Sequence, residues 1–149
     1  MSVNVFLNKV ANLSYASKVS DFNKEFNNVK NYLCNYEEEN ISFDMTLFMC
    51  ISMFAADSSL STKETSFINE SLGQNYEPDH LVEEYKNYKS LGYDKVFKYL
   101  KKAPKYVRKS AAIICACCLA CDRAITDNEA SNYNNLLTTL SLKIQTEEE

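Results

Sequence analysis

A single pattern of 24 residues occurs twice in this chain, at 49–72 and 114–137, and each copy calls for a helix, a tight loop and a second helix. The copies align without a gap at a constant offset of 65. Ala55 pairs with Ala120, Asp57 with Asp122, Leu60 with Ile125, Ser61 with Thr126 and Glu64 with Glu129. Ile68 and Leu72 pair with Tyr133 and Leu137. The common motif is a buried apolar segment, then Ala-x-Asp-x-x-apolar-(Ser or Thr)-x-x-Glu, then an amphipathic segment. A chain committed twice to this unit is expected to be all-α.

The first half of each unit says where the core lies. Residues 43–56 and 111–121 are apolar nearly all round rather than on one stripe. A helix without a polar face belongs in the middle of a bundle, covered on several sides. Around these two, the remaining segments are amphipathic. Val3, Phe6, Leu7, Val10 and Leu13 share a face at helical spacing, as do Phe22, Phe26, Val29 and Leu33 in a helix expected to begin near Ser20 and Asp21. Ser42 is a candidate N-cap for the third helix, and Gly73 and Gly92 are candidate left-handed residues ending the fourth and fifth. Pro78 opens the fifth helix, residues 93–102 form a short sixth, Pro104 suits the first turn of a long seventh, and Thr126 caps the eighth. With only two Gly and two Pro in 149 residues, the tight turns of an all-β fold have too few residues to make them. The expectation is one domain over 1–149, a bundle of seven to eight helices. Its repeat units run over 42–73 and 106–141, and an acidic tail covers 145–149.

Most of the repeated motif has an architectural reason. Ser61-x-x-Glu64 and Thr126-x-x-Glu129 are capping boxes, in which the hydroxyl takes the N3 amide and the carboxylate returns to the cap amide. Leu60 and Ile125 precede the caps, where an apolar residue staples the start of the helix. Asp57 and Asp122 are different. Each follows a buried helix at its C-terminal, negative end, where a carboxylate is disfavoured by about 0.3–1 kcal/mol. Two readings account for it. The side chain can bond the loop amides that follow, or Asp and Glu seven residues apart can offer oxygens to a divalent cation such as Ca²⁺ or Mg²⁺. The spacing is not that of an EF-hand, which places its terminal carboxylate eleven residues on and needs a loop Gly.

These same residues resemble the paired Asp-Gly-x-apolar-Ser-x-x-Glu segments of the TerB-like (tellurite-resistance protein B) family, over about residues 40–140. Ser58 and Arg123 stand where that family has Gly. The resemblance implies an all-α bundle of about seven helices and a cytoplasmic or inner-membrane-associated setting in bacteria. It also implies a role in stress or metal-resistance complexes, and divalent metal held by Asp57, Glu64, Asp122 and Glu129.

Other features weigh on function. Cys115, Cys117, Cys118 and Cys121 fall on one helix, which cannot wrap a tetrahedral zinc ion, so they are expected to pack as small apolar residues. His80, the sole histidine, is expected at the surface, which leaves hydrolase chemistry without a base. A basic run from Lys95 through Lys109 contains no acid; it is either a solvated face or a surface for an anionic partner or membrane. A net charge of −4 argues against nucleic acid as a partner. The longest uncharged stretches, 45–56 and 111–121, are too short for a transmembrane segment, and residues 2–12 lack the apolar core of a secretory leader, so a cytoplasmic setting is expected. The functional expectation is a non-enzymatic TerB-like interaction module with a protein partner and weak divalent-cation binding. The alternative is a metal-free helical adaptor or immunity-type protein.

Overall fold

The computed structural model describes residues 3–53, 60–90, 95–121 and 125–142. Those residues form eight α-helices and no strand: α1 (Val3–Ala11), α2 (Tyr15–Leu33), α3 (Glu39–Ile51), α4 (Thr62–Leu72), α5 (Pro78–Ser90), α6 (Val96–Leu100), α7 (Lys105–Ala120) and α8 (Asp127–Thr139). α3 ends at Ile51 with Ser52 as its C-cap, short of the expected reach to residue 56; the stop at Gly92 and the acidic tail lie outside the described residues.

α7 is the axis of the bundle and touches α1, α2, α3, α4 and α8. From Ala111 to Ala120 every residue but Ile113 is buried. α3 is the second inner helix, with Met45 through Ile51 all buried. The two helices that lack a polar face are thus the two that others cover. α2 is α7's most extensive neighbour and brings Phe22, Phe26, Val29 and Leu33 to the core. Small Ala and Cys side chains along α7 leave room for this close approach. Across the same seam Asn28 Nδ2 donates to Ser110 Oγ at 3.2 Å, and Ser110 Oγ donates to Glu25 Oε2 at 2.7 Å.

The helix starts depart from expectation in three places. α2 begins at Tyr15, with Ser14 as N-cap accepting the Ser17 amide at 3.1 Å, rather than near Ser20 and Asp21. The apolar stripe that marks this helix is continued N-terminally by a buried lysine, Lys18, which an apolar count passes over. Ser42 is not a cap. It lies inside α3 and is buried, its hydroxyl donating to the Glu37 carbonyl at 3.4 Å, while Glu38 occupies the N-cap position. Pro104 sits at the N-cap of α7, one residue before its first turn. Gly73 ends α4 as expected, at φ 66° and ψ 39°, where a Cβ would be strained. Asn69 then ties the following loop, accepting the Tyr76 amide at 2.8 Å and donating to the Tyr76 carbonyl at 3.0 Å.

Candidate functional site

The two capped helix starts are built alike. At α4 the Ser61 hydroxyl accepts the Glu64 amide at 3.0 Å, and Glu64 Oε1 accepts the Ser61 amide at 2.7 Å. At α8 the Thr126 hydroxyl accepts the Glu129 amide at 3.1 Å, and Glu129 Oε1 accepts the Thr126 amide at 2.8 Å. Each carboxylate therefore spends one oxygen on its own helix, at the positive end of the dipole that favours it. Asp57 and Asp122, the other half of the expected cation ligands, lie outside the described residues, as do Ser58 and Arg123. Among the described residues no group of three or more His, Cys, Asp or Glu side chains is placed to hold a metal ion.

The negative end of α7, just before Asp122 in the chain, has a partner that the sequence reading missed. Lys18 is 2% exposed, and its Nζ donates to the Ala120 carbonyl at 3.2 Å and to the Ala11 carbonyl at 3.1 Å. A buried ammonium needs hydrogen-bonded partners. Here the last carbonyls of two helices supply them, and the charge sits where a helix dipole is most negative. The signal was present in the sequence: Lys18 lies four residues before Phe22, on the apolar stripe of α2.

The cysteines fall mostly in the core. Cys50, Cys115, Cys117 and Cys118 are buried, Cys121 is half-buried and Cys34 is exposed, all as free thiols. Cys50 of α3 and Cys115 and Cys118 of α7 are buried close enough to perturb one another, so thiols meet where the two inner helices pack. Burial pushes Cys117 and Cys118 up to about 12. Cys50 is driven well up by burial, and Cys115 by the neighbouring Cys50 thiol and then by burial. Neutral buried thiols are poor nucleophiles and poor metal ligands.

Two surface features remain. A groove of about 520 Å³ opens between α2, α3 and the α4–α5 loop, lined by Lys30, Glu39, Phe43, Asp44, Gln74 and Tyr76. Partial burial and then the charge of Glu84 raise Asp44, and the Tyr76 phenol is raised by burial, then by Asp44. Near the end of α2, Tyr36 stacks on Tyr99 with centroids 4.6 Å apart and planes 10° from parallel. Tyr99 donates to Glu37 Oε2 at 2.6 Å, and Lys95 pairs with the same oxygen at 3.2 Å. Both bonds favour the Glu37 carboxylate and lower it, the Tyr99 bond most. His80 is an exposed residue paired with Glu84 at 3.0 Å.

Comparison of the chain with protein-family models, with curated proteins and with solved structures gives no match. No helix among the described residues is long and apolar enough to cross a membrane.

Proposed function

We propose that this chain is a non-enzymatic helical interaction module of TerB-like type, serving a stress-resistance assembly through a protein partner. The observation that carries the reading is the paired capping box. Ser61 with Glu64 and Thr126 with Glu129 make the same two bonds in both helical pairs, at the positions where the motif repeats. That agreement supports a duplicated helix–loop–helix unit.

Of the two readings of the loops, weak cation binding by Asp57, Glu64, Asp122 and Glu129 is the more specific. The residues described fit it in part: each Glu keeps its place at a helix start, where it also accepts the cap amide. The metal-free alternative draws support from Lys18, whose ammonium already brings positive charge to the end of α7 in the second copy. The first copy, Asp57 with Glu64, is therefore the better candidate for a cation.

Calorimetric titration of Ca²⁺, Mg²⁺, Mn²⁺ and Zn²⁺ into wild type, Asp57→Ala and Asp122→Ala separates the two readings. Cation binding predicts heat and a thermal shift that Asp57→Ala abolishes. Silence with all four ions would remove the metal and leave the adaptor. The module reading itself is tested by native capture of the tagged chain from its source cells. A stoichiometric partner recovered reciprocally upholds it, and capture that yields no such partner overturns it.

A further inference from the structure

Charge in this chain is segregated. Residues 95–121 carry seven Lys or Arg and no Asp or Glu, whereas the remaining residues carry nine basic and twenty acidic side chains. The structure gathers the basic side chains on one corner, where α6 turns into α7. Val96, Leu100, Ala103 and Val107 face inward and are buried. Lys98, Lys101, Lys102, Lys105 and Lys109 are exposed. Among them stands Tyr106, 64% exposed, the most exposed of the large apolar and aromatic side chains described.

The corner is held firmly from beneath. Arg108 turns its guanidinium away from solvent, Nε donating to the Ala103 carbonyl at 3.1 Å and Nη1 to the Leu140 carbonyl at 3.0 Å. The turn between α6 and α7 is thereby tied to α7 and to the end of α8, with exposed Lys105 and Lys109 on either side of Tyr106 in the chain. A ring with a polar tip, little conformational freedom and a charged surround is the side chain most often found to anchor a protein interface.

We propose that this corner, Lys98 to Lys109 with Tyr106 at its centre, is the docking surface for an acidic segment of a partner protein. The inference rests on the interaction-module reading and locates its surface. Charge complementarity selects the class of occupant, and the borders of the patch select its size. Glu37 lies on the flank, where it reaches Lys95 and Tyr99. A nucleic acid strand or an anionic bilayer extends past a patch of five lysines. It would then meet the acidic remainder of the chain, nine basic against twenty acidic side chains, and be repelled by it. A compact acidic segment needs only the patch itself.

The test uses the whole chain and a fluorescein-labelled 12-residue peptide rich in Glu with one central Leu. A single-stranded oligonucleotide and phosphatidylglycerol vesicles are the comparators. Binding of the peptide at about 50 mM salt is expected to weaken at least about tenfold in Lys101→Glu/Lys102→Glu/Lys105→Glu. A control of equal charge, Lys24→Glu/Lys63→Glu/Lys86→Glu, changes exposed lysines elsewhere and is expected to bind like wild type, apart from the general effect of net charge. Tyr106→Ser is expected to weaken binding about fivefold without altering its salt dependence. Circular dichroism melts confirm that each variant folds. An equal loss in both triple variants, no salt-sensitive peptide binding, or tighter binding of the oligonucleotide or the vesicles overturns the proposal. A partner captured equally well by the Lys101, Lys102 and Lys105 variant overturns the surface and leaves the module reading standing.

Discussion

Lys18 and Ala120 are 102 residues apart in sequence, and the ammonium of one closes the helix that ends at the other, Nζ to carbonyl oxygen at 3.2 Å. The same nitrogen reaches the Ala11 carbonyl at 3.1 Å, so one buried charge completes the ends of both α1 and α7. A lysine placed this way stabilises only while all its partners are present, because an unsatisfied buried group carries its full desolvation cost.

Lys18→Met keeps the aliphatic stem but leaves both carbonyls without this donor and the α7 end without its charge. The expected loss is about 2–4 kcal/mol, read as a lower urea midpoint with an unchanged m-value. A change under about 0.5 kcal/mol, the level of an ordinary surface substitution, would show that the bond is incidental.

The capping boxes separate architecture from ligand binding. Ser61→Ala and Thr126→Ala remove the acceptor for the Glu64 and Glu129 amides, and each is expected to cost about 1 kcal/mol. Glu64→Gln retains an oxygen that can accept the Ser61 amide, so it is expected to cost less than the cap deletion. If the first loop holds a cation, Glu64→Gln lowers cation affinity far more than it lowers stability, as a thermal-shift series in Ca²⁺ and Mg²⁺ reveals. Equal small effects with and without cation would assign Glu64 to the cap alone.

What the sequence made legible was whatever is decided within a turn or two of chain. The absence of a polar face marked α3 and α7 as the inner helices, and the caps at Ser61 and Thr126 and the stop at Gly73 needed only their neighbours. The stripe of α2 is continued by Lys18, which hides its start at Tyr15 from an apolar count, and Ser42, a cap by residue type, is buried inside α3. Contacts such as Lys18 to Ala120 or Arg108 to Leu140 follow from tertiary packing, which no local pattern encodes. Of the expected cation ligands, Glu64 and Glu129 stand where the repeat puts them, at matching helix starts. The Cys run was readable as core because one straight helix cannot wrap a tetrahedral ion; the proximity of Cys50 to it across the α3–α7 seam was not.

Alkali should unfold this protein by way of its core. Tyr133 is 1% exposed, donates to the Ala112 carbonyl at 2.8 Å and is raised well above 10.0 by burial. Cys117 and Cys118 are raised from 9.0 to about 12. Above about pH 9 the unfolded chain releases protons that the folded chain retains, so the folded state binds more protons and stability falls as pH rises. The stabilisation is complete below pH 9 and is lost between about 9 and 12. Each such group contributes a slope of up to about 1.4 kcal/mol per pH unit. Urea midpoints measured from pH 8 to 11 are expected to decline, and Cys117→Ala/Cys118→Ala is expected to decline less steeply. A flat profile would mean that these groups ionise within the fold.

Thiol reactivity offers an independent reading of the same core. Cys34 is exposed, Cys121 half-buried, and Cys50, Cys115, Cys117 and Cys118 buried. Reaction requires both a thiolate and access, and the buried four are denied both by their packing. Treatment of the native protein with a chromogenic disulfide reagent at pH 8 is expected to consume Cys34 at once and Cys121 more slowly. The other four should react at the rate of opening, measured in parallel by dilution into urea. Cys34→Ser should then abolish the fast phase. If any of the four reacted as quickly as Cys34, the α3–α7 seam would be open to solvent, and the thiol contacts joining Cys50 to Cys115 and Cys118 would be a candidate for redox or soft-metal chemistry rather than for packing.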